Sequence, residues 1–273
     1  MKECKRHAAI VLAAGKGSRM KSDVPKQYLS LKGKPVLYYA LKAFEDSFID
    51  EIVLVTGVGQ EDYCQKEIVE YYGFQKVSHV IAGGKERYDS VYRGICALED
   101  ADYVYIHDGA RPFIDNALLC RARDTVEQYH ACAAGMTSKD TIKLINEQGF
   151  VRETPERKYT WIIQTPQVFE YTLIRGAYEK MYQNMPAVQI TDDAMVVETM
   201  LCTPVKLYEG SYDNIFENVS FQIDTDWKLG FIGRNGRGKT TFLNLLLGKY
   251  AYSGNISSTV KFEYFPYDVE DKS

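Results

Sequence analysis

Short apolar runs alternate with segments of helical periodicity along most of this chain, and that alternation leaves few folds open. Residues 8–14, 52–56, 77–82, 103–107 and 131–136 read as buried strands. Residues 35–46, 60–72, 87–99 and 116–129 lie between them and repeat apolar side chains at helical spacing, with Pro35 at a helix start. Strands that alternate with helices build an α/β domain, a mostly parallel sheet with helices on both faces. Ligands of such sheets bind at the carboxyl ends of the strands. Residues 138–165 break the rhythm. Thr141-Ile142-Lys143-Leu144-Ile145, a polar turn around Gly149, and residues 152–161 predict an extended β-hairpin arm. Helices at 171–183 and 192–201 and a strand at 205–208 follow.

Composition narrows the function. Hydrophobic residues make up 45% and charged residues 26% of the 273, which suits a packed core. The net charge of −4 supplies no basic surface of the kind nucleic acid requires, so no nucleic-acid partner is expected. The six cysteines are scattered without a Cys-x-x-Cys pair, and the four histidines show no ligand spacing, so no metal site built from protein ligands is expected. Reduced thiols in a cytoplasmic protein are the simplest reading. The apolar run 8–14 follows Lys2, Lys5 and Arg6, but it is short for a leader and no small-residue cleavage site follows, so a buried first strand is expected. No apolar stretch is long enough to span a membrane.

The first strand runs directly into Ala13-Ala14-Gly15-Lys16-Gly17-Ser18-Arg19-Met20. Glycines there let backbone N–H groups approach phosphate oxygens. Met20 breaks a Gly-x-Gly-x-x-Gly fingerprint, which disfavours a dinucleotide cofactor. Lys16, Arg19 and Lys26 supply cations suited to a triphosphate. A tight turn with solvated charges would account for the glycines alone.

The combination is more specific. The segment 12–20 is followed by Pro25-Lys26-Gln27-Tyr28-Leu29, Gly83-Gly84-Lys85-Glu86-Arg87-Tyr88-Asp89-Ser90 and His107-Asp108-Gly109-Ala110-Arg111-Pro112. Gln164-Thr165-Pro166-Gln167 and Ile190-Thr191-Asp192-Asp193-Ala194 complete the series. In this order the segments resemble the 2-C-methyl-D-erythritol 4-phosphate cytidylyltransferase family of isoprenoid-precursor biosynthesis. The resemblance covers about residues 8–215. It implies the Rossmann-like nucleotidyltransferase fold and an attack of the substrate phosphate on the α-phosphate of CTP, assisted by Mg²⁺ held mainly through the CTP phosphates. Arg19 and Lys26 would be catalytic, facing the triphosphate and the transition state. Ala13, Ala14, Gly15 and Gly17 would back the phosphates, and Gly83, Lys85 and Ser90 would read cytosine and ribose. Asp108, Gly109, Arg111, Thr165 and Thr191 would hold the methylerythritol phosphate. Thr141 and Arg157, on the arm, would reach the neighbouring subunit's site in a homodimer. Bland readings stand beside these: Asp108 as a strand end, Arg111 as a surface charge, Thr191 as a helix N-cap.

From Phe216 the chain changes character. The family pattern continues after Asp213-Asn214-Ile215 with a phosphate-binding lysine and a closing helix; here Phe216 stands at the lysine position. Residues 216–273 instead resemble the start of an ATP-binding cassette domain, a truncated P-loop fragment. Gly233-Arg234-Asn235-Gly236-Arg237-Gly238-Lys239-Thr240 matches Gly-x-x-x-x-Gly-Lys-Thr between a strand and an apolar helix. Gly233 and Gly238 would shape that loop, with Lys239 at the β- and γ-phosphates and Thr240 at Mg²⁺. No Walker B strand follows, so hydrolysis by residues 216–273 is not expected. The domains expected are 1–215 and 216–273, and the fusion is expected to weaken the first. The alternatives are a cytidylyltransferase for another alditol phosphate such as ribitol 5-phosphate, and an ATP-binding module on residues 216–273.

Overall fold

The computed structural model describes residues 5–15 and 25–211, with Leu246 alone beyond them. The chain divides into two compact units, the first comprising Met1–Ser138 and Lys158–Ser211. In chain order its elements are β1 (His7–Ala13), β2 (Ser30–Leu31), β3 (Lys34–Pro35), α1 (Val36–Glu45), β4 (Glu51–Thr56) and α2 (Glu61–Tyr63). The helix α2 continues as a wider-wound π segment over Cys64–Glu70. Then come β5 (Val77–Ala82), α3 (Arg87–Ala97), β6 (Tyr103–Asp108), α4 (Asn116–Tyr129) and β7 (Ala131–Thr137). The arm carries β8 (Leu144–Ile145) and β9 (Val151–Glu153), and the first unit resumes with β10 (Trp161–Glu170), α5 (Tyr171–Gln183), α6 (Asp193–Leu201) and β11 (Lys206–Glu209).

Seven strands form one sheet in the order β11-β7-β10-β6-β1-β4-β5. Every neighbouring pair is parallel except the two made by β10, which runs antiparallel to β6 and β7. Both faces are covered, which is why the strands read as unbroken apolar runs rather than alternating ones. Successive residues point into opposite cores. Ala9 and Val11 of β1, Ile52 and Leu54 of β4, and Tyr103 and Tyr105 of β6 pack on one side, against Leu37, Leu41 and Leu119. Ala8 and Ile10, Val53 and Val55, and Val104 and Ile106 pack on the other, against Ile95, Ile174 and Val197. Gly94 of α3 sits so close to β1 that a Cβ there would lie 2.6 Å from Ile10 Cγ2.

The predicted hairpin arm is shorter than the sequence suggests. The second compact unit includes Lys139–Arg157, in which β8 and β9 pair antiparallel. Residues 161–165 instead belong to the main sheet, where Trp161, Ile162 and Ile163 pair with Thr137, Met136 and Gly135. The register of β10 shifts between Ile163 and Gln167, and the Thr165–Pro166 peptide is cis.

The last described stretch of the sheet is closed by side chains. Gln164 donates from Nε2 to the Ser211 carbonyl (2.6 Å) and accepts from the Ser211 N–H at Oε1 (3.0 Å). Arg121 Nε donates to the Glu209 carbonyl at 3.0 Å, and the Gly210 N–H donates to the Gly135 carbonyl at 2.9 Å. A Cβ on Gly210 would collide with Gln164 Oε1, so a larger residue there would displace the glutamine amide from its bonds to Ser211.

Candidate active site

Strands β1, β4, β5 and β6 are parallel, so their carboxyl ends share one edge of the sheet. The chain winds from β1 outward to β4 and β5, then returns to place β6 on the other side of β1. This reversal opens a crevice between the ends of β1 and β6, the usual ligand position in such sheets. Leu12 of β1 pairs with Asp108 of β6 across it, and the Gly109 N–H donates to the Leu12 carbonyl at 2.8 Å. A Cβ on Gly109 would meet Leu37 Cδ1 at 2.8 Å and the Leu12 carbonyl oxygen at 3.0 Å, so a larger residue would force the strand ends apart.

Ala13, Ala14 and Gly15 lead out of β1 on one side of the crevice. Gly17 and Arg19 lie outside the described residues, as do the P-loop positions Gly233, Gly238, Lys239 and Thr240. Lys26 opens a short 3-10 turn, Lys26–Tyr28. The adjacent Gln27 is buried and donates from Nε2 to the Ala13 carbonyl (2.6 Å) and the Gly15 carbonyl (3.1 Å). That amide ties the lysine-bearing turn to the start of the glycine loop. Pro25-Lys26-Gln27 stands out in the sequence for its lysine; the buried glutamine beside it is the part that holds the turn in place.

The Gly83–Ser90 segment closes against the same loop. The Gly83 N–H donates to the Thr56 carbonyl at 2.7 Å, and a Cβ on Gly83 would lie 2.6 Å from Ala14 Cβ and 2.7 Å from Ser90 Oγ. Ser90 is buried, accepts from the Gly84 N–H at 3.0 Å and donates to the Glu86 carbonyl at 3.2 Å. A reciprocal capping box of Glu86 and Asp89 starts α3 beside it. Lys85 is exposed on this turn.

Across the crevice a hydrogen-bond chain orients Asp108. The Asp108 N–H donates to Thr165 Oγ1 at 3.2 Å, and Thr165 Oγ1 lies 3.1 Å from His107 Nδ1. His107 Nε2 lies 3.1 Å from the Arg111 carbonyl. A carbonyl only accepts, so Nε2 carries the imidazole proton, Nδ1 accepts, and the Thr165 hydroxyl is the donor between them. Burial pushes His107 down to about 4, which keeps the imidazole neutral at physiological pH.

The Asp108 carboxylate lies between two guanidinium groups. Arg87 Nη2 is 3.5 Å from Oδ1, and Arg111 Nε is 3.3 Å from Oδ2. Burial favours the neutral acid here, but Arg87 and then Arg111 outweigh it and leave the Asp108 pKa below the ordinary carboxylate value. Arg87 and Asp193 carry no site role in the motif reading. They lie more than a hundred residues apart, and only folding brings them together.

Thr191 is exposed and lines a cleft of about 420 Å³ with Arg87, Tyr88, Met185, Val188 and Asp192. It does not cap α6. Asp192 does, accepting at Oδ1 from the Met195 N–H at 2.9 Å, while the Thr191 hydroxyl, at the cleft wall, donates to Met195 Sδ at 3.6 Å. The buried Gln167 accepts from the Ala194 N–H at 2.8 Å and donates to Asp192 Oδ2 at 3.1 Å, which joins β10 to this helix start. Thr141 and Arg157 lie on the arm, where Arg157 Nη2 donates to Thr141 Oγ1 at 3.3 Å. Among the described residues no group of three or more His, Cys, Asp or Glu side chains could hold a metal ion.

Comparisons with known proteins bear on the family and the fold. A family model described as IspD, 2-C-methyl-D-erythritol 4-phosphate cytidylyltransferase, matches residues 7–221, and a second, described as ABC transporter, matches residues 216–267. The chain is 49% identical to a 2-C-methyl-D-erythritol 4-phosphate cytidylyltransferase of Lachnoclostridium phytofermentans over 76% of its own length and 88% of that protein's. It is 47% identical to that of Lachnospira eligens, over 77% and 92%. Among solved structures, 4-diphosphocytidyl-2C-methyl-D-erythritol synthase from Anaerococcus prevotii is 34% identical with a TM-score of 0.67, covering 76% of this chain and 88% of that one.

Proposed function

Since the chain belongs to the 2-C-methyl-D-erythritol 4-phosphate cytidylyltransferase family, we propose how its residues carry out that family's reaction. The enzyme is a nucleotidyltransferase that moves the cytidylyl group of CTP to 2-C-methyl-D-erythritol 4-phosphate, a step of isoprenoid-precursor biosynthesis. An oxygen of the acceptor phosphate attacks the α-phosphorus of CTP, the bond to the β-phosphate oxygen breaks, and pyrophosphate leaves. Positioning and charge neutralisation are what such a reaction asks of a protein.

The observation that carries the residue assignments is the convergence of the described motif segments on the β1–β6 crevice. CTP lies along the loop from Ala13 to Gly17, with Lys26 and Arg19 on its phosphates and Gly83, Lys85 and Ser90 around its base and ribose. The acceptor lies beside Asp108, Gly109, Arg111, Thr165 and Thr191. Asp108 is held as an anion, so it accepts hydrogen bonds from acceptor hydroxyls. Arg111 and the exposed Thr191 hydroxyl face its phosphate. Mg²⁺ is the metal, which when bound to the triphosphate offsets phosphate charge and favours departure of pyrophosphate. The described residues suit a cation held by the nucleotide, since among them no group of three or more His, Cys, Asp or Glu side chains could hold a metal ion, and two arginines flank the Asp108 carboxylate. Arms exchanged between two copies bring Thr141 and Arg157 to the partner's site, which makes the active form a homodimer. A cytoplasmic location is consistent with the unpaired thiols of Cys64, Cys96, Cys120, Cys132 and Cys202. Among the described residues no helix is long and apolar enough to cross a membrane.

Phe216 lies where the family's phosphate-binding lysine is expected, so the fusion weakens the triphosphate site, and residues 216–273 do not couple ATP to turnover. Pyrophosphate release from CTP with a panel of alditol phosphates tests the assignment. Methylerythritol phosphate should give the highest kcat/KM. A preference for ribitol 5-phosphate, or ATP binding without cytidylyl transfer, would overturn it.

A further inference from the structure

Arg87 is the first residue of α3 and reaches two acids on different elements. Its Nη2 lies 2.9 Å from Asp193 Oδ2 and 3.5 Å from Asp108 Oδ1. Asp193 is fully buried at the start of α6 and is also bonded by the Tyr178 hydroxyl of α5 at 2.7 Å. The side chain of Asp108 is about a third exposed at the crevice. One end of this ion-pair chain is therefore an anchor and the other is part of the site. Asp193 follows directly after Thr191 and Asp192, so the anchor sits on the helix start that presents Thr191 to the cleft. Burial disfavours the Arg87 charge, but Asp193 and then Asp108 overcome it and raise its pKa, so the guanidinium stays charged.

We infer that Arg87 is a positioning residue for the acceptor: anchored on buried Asp193, it holds the Asp108 carboxylate and the Thr191-bearing start of α6 in one fixed arrangement. The inference rests on the assignment of Asp108 and Thr191 to the acceptor. It differs from a purely structural role in what it moves. Loss of a structural ion pair lowers stability alone, whereas loss of this one also changes Asp108 and acceptor binding while leaving CTP binding unchanged. The titratable groups facing Asp108 are Arg87 from α3, Arg111 from the following turn and the neutral His107 from its own strand. Those facing Arg87 are Asp193 from α6, Asp108 from β6 and Tyr178 from α5.

The double variant Arg87→Gln/Asp193→Asn removes the cation and its buried partner together, so no buried charge is stranded. Thermal melting establishes that it is folded. The carboxyl carbon signal of Asp108, assigned by its disappearance in Asp108→Asn, is titrated in ligand-free protein. The midpoint should move up towards the ordinary carboxylate value, and the acceptor KM should rise tenfold or more with the CTP KM within twofold. A folded double variant with an unmoved midpoint, or with an unchanged acceptor KM, overturns the inference. Arg87→Lys keeps the charge but loses the fork, and should give smaller changes in the same direction; if the double variant does not fold, no change in Arg87→Lys is the overturning result. The titration needs no turnover, so a wild-type protein inactive on methylerythritol phosphate would sink the functional assignment while Asp108 still reports on Arg87.

Discussion

At the scale of single residues, two side chains carry sharp expectations. Lys26 stands on a turn fastened to the glycine loop by Gln27. Removing one transition-state charge partner costs about 3 kcal/mol, or roughly a hundredfold in rate. Lys26→Ala should therefore lose about that factor in kcat with its melting temperature near wild type, and unchanged kinetics would exclude Lys26 from the triphosphate site. His107 makes a prediction about acid stability. Its pKa falls from the ordinary 6.5 to about 4 in the folded protein. Between those values the unfolded chain binds a proton that the native state refuses, so stability is present above pH 6.5 and is lost as pH falls. The loss from this group reaches about 2 kcal/mol at pH 5. His7 is shifted down as well, mainly by burial, and adds to the same slope. Denaturant unfolding from pH 7 to 5 should show that fall, and His107→Asn, though less stable at neutral pH, should show a shallower one. These buried partners are the least legible part of the site in sequence. Arg87 meets Asp193, and His107 meets Thr165, only through folding. Thr191 and Asp192 are both good cap formers by type, and only the hydrogen bond to Met195 decides between them.

At the scale of elements, α3 packs closely on the sheet beside the crevice. A Cβ on Gly94 would meet Ile10 Cγ2 at 2.6 Å and Val55 Cγ2 at 3.3 Å. Gly94→Val should destabilise the protein by about 1–3 kcal/mol through overpacking. It should also disturb CTP binding, because α3 carries Ser90 and abuts Gly83. A Gly94→Val protein with wild-type melting temperature and CTP KM would show that the helix can shift freely. The central strands were legible because a sheet covered on both faces writes continuous apolar runs into the chain. Strand β10 was not. Gln164, Thr165, Pro166 and Gln167 interrupt its apolar pattern, and its register shifts there to serve the site, so its first half read as part of the arm. The π-wound continuation of α2 has no periodicity distinct from an α-helix over so short a stretch.

At the scale of the whole molecule, the arm and the fusion carry the remaining expectations. Mixing Arg157→Ala chains with Lys26→Ala chains should restore part of the lost activity, because one site of the heterodimer regains both groups. No recovery in verified heterodimers would mean that each site is built within one chain. Replacing residues 216–273 with a lysine and a family-like terminal helix should raise both melting temperature and turnover. An equally active and stable parent, or stimulation of the parent by ATP, would contradict the proposed cost of the fusion. The clamp at Ser211 has a mechanical consequence. Tension applied to the chain after Ser211 is taken up first by the two Gln164 bonds and by Arg121 on the Glu209 carbonyl. A pull along the strand then loads the parallel β11–β7 ladder lengthwise, so its bonds share the load rather than unzip one at a time. The edge strand β11 lies four places from β1 in the sheet, but Gln164 is the residue before Thr165, so load on this edge is passed to the hydrogen bonds that orient Asp108 before it reaches β1 itself.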